Sequence, residues 1–539
     1  MRLVDVPDDL ILEVASQSEV LEAYSLSVSC RRFRELALNE VAYWSTLLIN
    51  QQKAQPSQIL PLPPYQDIKE LSITQLHVVV VHMVNLEKNL SKKRATLRHP
   101  PTQVMIDGLK PYGGPDNIPG TPLVLLQCSD DQVACVNYEQ RELVCAVKAP
   151  HSFMQRTSPY HERGRCSRVL EVGLTWDVER ALYMLQVDYH HDPLTNQWQA
   201  SMELLLIPTP EENLDGFETP KWDAEVTTDS KMVAYIAARH MLHVDEDGNR
   251  YIIDTLEVVV LNAITGAFTR ICTGIDLNPH DLFSMYRPIL KDRHLFLLLE
   301  KSQRTHIWQI PDSLLPFDDG RIVEPDSDCL LGPDNDIGHR HGGSVKYCPH
   351  FDAQFDTDTG SESEDPDATD KLTEEDIYFP ETWLRESHTL YGSIQSTFSW
   401  IPFFDRETRK AHQALQLRCW SLPGSDVDTA AQAALVANHR CCNTDITAGA
   451  SVTWEERHNK LYASASSLLW ISPDDPAELI LARYHAHDLP ARVSYHVLEL
   501  PEELKPVAVL RQVRVSFDDG LGVVLFMMDD GRLWVLKYA

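Results

Sequence analysis

His339, His341, Cys348 and His350 place four side chains of metal-ligand type in one short stretch. A metal needs such donors converging on one centre, and their spacing matches no zinc module, so they read as surface residues beside an acidic segment. His485 and His487, separated by Ala486, are another close pair of ligand-type side chains and read as no metal site. Asp356-Thr357-Asp358-Thr359-Gly360 offers oxygen ligands for calcium but lacks the full loop pattern and its closing glutamate, and charge density alone explains it. No Gly-x-Ser-x-Gly elbow, Gly-x-x-x-x-Gly-Lys phosphate loop or Gly-x-Gly-x-x-Gly turn is present. A catalytic dyad scattered over several elements would escape that search. The reading is nonetheless a chain that is no enzyme and needs no metal and no cofactor.

The acidic segment lies in an insertion at about residues 312–382. Asp352 to Asp376 holds eleven Asp or Glu against one lysine, and so cannot bury enough apolar surface to offset its ordering entropy. A mobile, solubilising loop is expected. Ser361-Glu362-Ser363-Glu364-Asp365 would suit an acidophilic kinase of the casein-kinase type, and phosphates there would add charge to the loop.

Around this insertion the chain reads as strands. From about Thr121, short β-rich runs alternate with Asp, Asn and Gly turns, and one strand turning back into a second recurs. Such second strands lie at Glu142 to Val147, Met202 to Ile207, Leu256 to Leu261, Thr305 to Ile310, Gln416 to Ser421, Ser467 to Ile471 and Arg532 to Lys537. Asp247-Gly248, Asp319-Gly320, Asp519-Gly520 and Asp530-Gly531 are hairpin chemistry, supplying positive φ at tight turns. Val523 to Met528, followed by Leu533-Trp534-Val535-Leu536, is the clearest hairpin and could close a ring against Leu123 to Val147.

Seven quasi-repeats at this spacing suit a β-propeller of about seven blades, in which each sheet buries its faces on its neighbours. A β-sandwich with extra modules shows the same alternation and is the rival. The resemblance to WD-repeat propellers is architectural, without the repeated Trp-Asp signature or a kelch double glycine. Ser516-Phe517-Asp518-Asp519-Gly520 partly resembles the Asp-box turn of sialidase-type propellers, but Val523 stands where that motif has tryptophan.

The first 50 residues are different in kind. Pro7 suits a helix start, Asp8 and Asp9 favour the positive end of its dipole, and Leu10, Ile11 and Val14 form an apolar stripe. A second segment carries Val20, Leu21, Tyr24 and Val28. Cys30, Phe33, Leu36 and Ala37 imply a third helix edged by Arg31, Arg32 and Arg34, and Trp44 and Leu48 follow the Asn39-Glu40 break. About 50 residues rarely hold a core unaided.

From Val6-Pro7-Asp8-Asp9-Leu10-Ile11-Leu12-Glu13 through Val28-Ser29-Cys30-Arg31-Arg32-Phe33 to Tyr43-Trp44, this region resembles the F-box of cullin-based ubiquitin ligases, most closely the fungal type. It departs from the family at Val6, Ser18 and Ala23-Tyr24, where leucine or another apolar residue is usual. The resemblance implies that Pro7, Leu10, Ile11, Val14, Val28, Phe33 and Trp44 are shared between a small core and the face that docks on a Skp-type adaptor. A plain helical hairpin capping the next domain is the simpler reading.

Pro61-Leu62-Pro63-Pro64 signals a linker. Ile68 to Lys93 then presents Leu71, Leu76, Val79, Val80, Met83, Leu86 and Leu90 on a helical face, with Lys92, Lys93 and Arg94 suited to the negative end of the dipole. Similar fungal F-box proteins also carry a helix here. The domains are therefore residues 1–50, a helical F-box; 51–120, a linker and bridging helix; and 121–539, the β domain.

Composition sets the outer bounds. With 43% apolar and 24% charged residues the chain is an ordinary folded protein. Its net charge of −31 argues against nucleic-acid or anionic-membrane binding, because phosphate neutralisation needs excess Lys and Arg. Apolar runs such as Leu295 to Leu299 fall far short of the roughly 20 residues that span a bilayer. Met1-Arg2-Leu3-Val4-Asp5 turns acidic too early for a secretory signal, so a soluble protein of cytoplasm or nucleus is expected. The eleven cysteines, among them Cys128, Cys135, Cys145 and Cys419 in apolar strands, read as reduced core thiols rather than a disulfide framework.

With the F-box resemblance, the whole reads as a substrate-recognition adaptor of an SCF ligase, whose partners are a Skp-type adaptor, the cullin scaffold and a target protein held by loops of the propeller. A propeller interaction scaffold with no ubiquitination role, and a propeller hydrolase, are the alternatives.

Overall fold

The protein is described from a computed structural model. It describes residues 6–54, 60–150 apart from 64, 65 and 107, and beyond residue 152 chiefly the strands; the longest stretches outside it are 208–225, 315–329, 336–385, 422–437 and 443–461.

Four helices open the chain: α1 (Asp8–Gln17), α2 (Val20–Ser29), α3 (Arg31–Asn39) and α4 (Val41–Ala54). Asp8 and Asp9 occupy the first turn of α1, and a capping box between Glu19 and Glu22 starts α2. The run Val28 to Phe33 spans the corner at Cys30, whose extended backbone ends α2 and precedes α3. Trp44 and Leu48 lie on a helix of their own, α4, because only Glu40 interrupts the helical chain there. A fifth helix, α5 (Ile73–Leu90), is shorter than the apolar face implies: Ile68–Glu70 forms one tight turn, and a Ser72–Gln75 capping box sets the start.

From residue 94 the regular elements among the described residues are chiefly strands. Two short strands come first, β1 (Arg94–Ala95) and β2 (Thr102–Val104). The first sheet in chain order is β3 (Asp116–Asn117), β4 (Leu123–Cys128), β5 (Gln132–Asn137) and β6 (Glu142–Lys148). In the second, β7 (Phe153–Gln155) and β8 (Tyr160–Glu162) both pair with β9 (Arg165–Val172), followed by β10 (Ala181–Asp192) and β11 (Gln197–Leu206). The third is β12 (Val226–Thr228), β13 (Met232–Val244), β14 (Arg250–Asn262) and β15 (Phe268–Leu277). The fourth comprises β16 (Tyr286–Lys291), β17 (His294–Leu299) and β18 (Arg304–Gln309), after which β19 (Leu330–Leu331) returns in parallel to the edge of β15. The fifth is β20 (Glu386–Tyr391), β21 (Ile394–Asp405), β22 (Lys410–Ser421) and β23 (Asn438–Cys442). The sixth is β24 (Tyr462–Ala463), β25 (Ser467–Ile471), β26 (Glu478–His485) and β27 (Arg492–Glu499), with β1 parallel on its edge. The last is β28 (Arg514–Asp518), β29 (Val523–Met527) and β30 (Leu533–Lys537), whose fourth strand is β2, 102–104 pairing with 533–535.

Each second strand that recurs in the sequence falls in a different one of these sheets. Their packing follows chain order. First strands of successive sheets adjoin, β12 with β16, β20 with β24 and β24 with β28, and β28 meets β3 of the first sheet.

The side chains of single strands show why. Leu123 and Leu125 of β4 pack on the second sheet with Leu170 and Val187, whereas Val124 and Leu126 pack on the last with Val523, Leu525 and Met527. In β13, Met232, Ala234 and Ile236 join the fourth sheet, and Val233 and Tyr235 the second. A strand covered on both faces needs an unbroken apolar run, which Leu123 to Leu126 and Val523 to Met528 supply. A two-sheet sandwich wets its outer faces; here inner strands such as β4 and β13 bury both, and the sheets pack in a propeller-like arrangement.

Candidate functional site

The helical region builds one core. Ile11, Ala15, Val20, Ala23, Phe33, Ala37, Tyr43, Trp44, Leu47 and Leu48 pack with Leu76, Val79, Val80, Met83 and Val84 of α5. The bridging helix thus supplies the surface that 50 residues lack. Trp44 Nε1 donates to the Ala37 carbonyl at 2.8 Å, and the Tyr43 hydroxyl donates to the Ala23 carbonyl at 2.9 Å. Both polar tips are therefore satisfied inside the core, and burial pushes Tyr43 up to about 12.

The positions that depart from the F-box pattern have local roles. Ala23 is fully buried and its carbonyl receives Tyr43. Ser18 closes α1, its hydroxyl donating to the Val14 carbonyl at 2.7 Å. Arg32 reaches back to the Val6 carbonyl at 2.7 Å and pairs with Asp8, tying α3 to the start of α1.

The seven residues singled out in the sequence divide into two groups. Ile11, Phe33 and Trp44 are core. Pro7 is exposed at the cap of α1, and Leu10, Val14 and Val28 are 54%, 56% and 59% exposed. Leu21 of α2 is exposed as well, and α2 adjoins α1. Apolar side chains this open on two adjoining helices are a surface that a partner can cover.

Helix α5 belongs to two cores at once. Its last turns put Leu86 and Leu90 among Leu479, Leu481, Leu498, Phe517, Val524 and Tyr538 of the sixth and seventh sheets. Polar contacts fix it there. Asn89 Nδ2 donates to the carbonyls of Thr96 and Tyr538, both at 2.7 Å, while its Oδ1 accepts from Lys92 Nζ at 3.1 Å. His82 Nε2 lies 3.1 Å from the Leu521 carbonyl, and His496 Nδ1 lies 2.8 Å from the Leu90 carbonyl. Burial lowers both imidazoles below their ordinary value. Gly522, at φ +61°, leaves room for α5: a Cβ there would stand 2.6 Å from Leu86 Cδ1.

At the centre of the junction Arg483 of β26 pairs with Glu87 of α5 and lies 3.5 Å from Asp519 in the turn after β28. Asp519 also accepts from Ser467 Oγ at 2.6 Å. The neighbouring Asp518 accepts from the backbone N–H groups of Leu521 and Gly120, each at 2.8 Å, and burial pushes its carboxyl up to about 6. The Ser516 to Gly520 motif is thus more than a hairpin turn. Its two carboxylates tie β28 to the first sheet and, through Arg483, to the helical region. Sequence reasoning missed Glu87, Arg483 and His496, which carry no local signal.

His339, His341, Cys348, His350, the Asp356 to Gly360 run, Ser361, Ser363 and His487 lie outside the described residues. Among the described residues no group of three or more His, Cys, Asp or Glu is placed to hold a metal ion. No helix among them is long and apolar enough to cross a membrane.

No protein-family model matches the sequence, and comparison with curated proteins gives no match. Among solved structures, the chain is similar to the β-propeller domain of Cps50 (Swd1) from Myceliophteria thermophila, at 9% identity over 81% of this chain and 99% of that one, with a TM-score of 0.34. BamB from Moraxella catarrhalis is similar at 9% identity over 81% and 100%, TM-score 0.30. A chain of the mitotic checkpoint complex is similar at 9% identity over 83% and 93%, TM-score 0.29. At such scores the fold rests on the sheets themselves.

Proposed function

We propose that this chain is a substrate-recognition adaptor of a cullin-type SCF ubiquitin ligase. In this reading the helices α1 to α4 are an F-box that docks on a Skp-type adaptor, and the seven sheets are seven blades of a propeller that holds a target protein. The exposure of Leu10, Val14 and Val28, on a helical region whose core is already filled by Ile11, Phe33 and Trp44, carries the proposal.

The buried junction at α5 supports it. A receptor works by proximity, raising the effective concentration of a target lysine near the charged conjugating enzyme, and that gain depends on fixed geometry. Helix α5, held by Leu86, Asn89 and the Glu87–Arg483 pair, would transmit position from one end to the other. The receptor itself would do no bond chemistry. The charge of −31 favours basic target segments in the encounter.

Co-expression with a Skp-type adaptor tests this. Wild type should purify with adaptor and cullin, and Leu10→Asp/Val28→Asp should lose both while retaining its fold. Leu206→Asp, equally exposed but on β11, should retain both. Equal recovery of the adaptor with all three proteins would refute the F-box assignment. Adaptor without cullin would make the chain a scaffold rather than a ligase receptor.

A further inference from the structure

The first and second sheets enclose a group of thiols. Cys135 of β5 stands directly opposite Cys145 of β6, and both pack on the core that includes Cys166 of β9. The register shifts between Cys135 and Val136, so Val136 faces Leu143 and Val144 is an extra residue. Such a bulge explains why Val144 and Cys145, though adjacent, both pack against this core.

Directly opposed residues of an antiparallel pair share a face, with Cα atoms about 4.5–5.5 Å apart. A disulfide spans about 4.4–6.8 Å between Cα atoms, so the backbone already holds these two cysteines at bonding distance. Their access to solvent differs. Cys135 and Cys166 are buried, whereas Cys145 is half-buried on the edge strand β6. The interaction between the two thiols pushes Cys135 up and Cys145 down, and burial pushes Cys166 up to about 11. Geometry, access and acidity therefore single out Cys145 as the attacking sulfur and Cys135 as the group beside it.

We propose that Cys135 and Cys145 form a peroxide-reactive dithiol that closes to a cross-strand disulfide. The Cys145 thiolate attacks one oxygen of a hydroperoxide, the O–O bond breaks, and the second oxygen leaves as water or alcohol after protonation. Cys145 is then a sulfenic acid. The Cys135 sulfur attacks the Cys145 sulfur, the S–O bond breaks, and the oxygen leaves as water. Two thiols lose two electrons and two protons, and one hydroperoxide is reduced. A dithiol reductant reverses the bond by exchange. Among the cysteines whose side chains are described, Cys128 packs on the opposite face of its sheet, Cys30 lies in the helical region, and Cys272 donates to the Glu257 carboxylate at 3.2 Å. The disulfide would pin the bulge of β6 to β5 where β6 meets β11, making the contact between the first two sheets redox-dependent.

The test uses the full chain, reduced and then exposed to graded hydrogen peroxide. Free thiols are blocked, and peptides are mapped without reduction. A link between Cys135 and Cys145 at the lowest effective peroxide, reversed by dithiothreitol, is expected. Dimedone should label Cys145 in the Cys135→Ser variant, and amides of β6 should exchange more slowly in oxidised wild type. A first link between Cys135 and Cys166, or oxidation of Cys128 or Cys272 while Cys145 stays free, would overturn the proposal. The wild-type map decides the matter even where a variant folds poorly.

Discussion

Arg483→Met removes the charge that joins the helical region to the last two sheets. The arginine side chain is 11% exposed, between Glu87 at 43% and Asp519 at 2%. Glu87 can turn to water when its partner goes, so that half of the network is worth about 0–1 kcal/mol. Asp519 cannot. Among the described residues its carboxylate would keep the Ser467 hydrogen bond, while its Oδ1, which has no hydrogen-bond partner there, would lose the Arg483 guanidinium. Removing one partner of a buried pair costs about 3–5 kcal/mol, and the 3.5 Å separation puts this case at the lower end, about 3 kcal/mol. Urea unfolding should show that loss, with amide exchange accelerated over the last turns of α5. Glu87→Gln should cost under about 1 kcal/mol. Asp519→Asn in the Arg483→Met background should recover about 2 kcal/mol, since the stranded charge is then gone. A loss below about 1 kcal/mol for Arg483→Met, or no recovery in the double variant, would refute the view that the junction is held through Asp519.

Three further outcomes follow from the same structure. Trp44→Ala should cost about 3–5 kcal/mol through its cavity and the orphaned Ala37 carbonyl, whereas Val28→Asp should stay within about 0.5 kcal/mol; denaturant unfolding separates them. Gly120→Ala, at φ +70° with a Cβ 2.1 Å from the Leu62 carbonyl oxygen, should destabilise well beyond Gly108→Ala, which at φ +83° meets open space and should cost about 1 kcal/mol in thermal unfolding. Burial lowers His82 and His496, so their contribution is present above the unfolded value near 6.5 and is lost as pH falls through their lowered folded values. Asp518 acts oppositely: its folded value of about 6 exceeds the unfolded one, so its contribution is full below about 4 and fades as pH rises through 6. His82→Gln/His496→Gln should therefore flatten the loss of stability expected of the wild type in urea unfolding as pH falls below about 6.5.

The local signals were legible where one face of an element is wet. The Ser72–Gln75 box and the apolar face of α5 mark a helix directly, and the Asp530-Gly531 turn marks a hairpin, with Gly531 at φ +83°. Strands such as β4 and β29 are covered on both faces, so alternation vanishes and the run reads only as apolar. β1 and β2, two and three residues long, are too short to carry any period, yet they complete sheets formed by the far end of the chain. Nor does the spacing of Leu10, Ile11, Val14, Val28, Phe33 and Trp44 say which of them face the core. That depends on where α5 lies, and α5 is placed by strands some 400 residues later in the chain, as the Asn89–Tyr538 and Glu87–Arg483 contacts show.

The sequence by itself determined the kinds of parts: helices that cannot close their own core, repeated strand pairs, and a net charge of −31. Those properties are local or additive, and periodicity and composition encode them. Only the tertiary structure decided which neighbour each strand face meets, that α5 is shared between two cores, and that Asp519, Arg483 and Glu87 converge. Those are choices among long-range partners, made by the packing of the whole chain rather than by any segment of it.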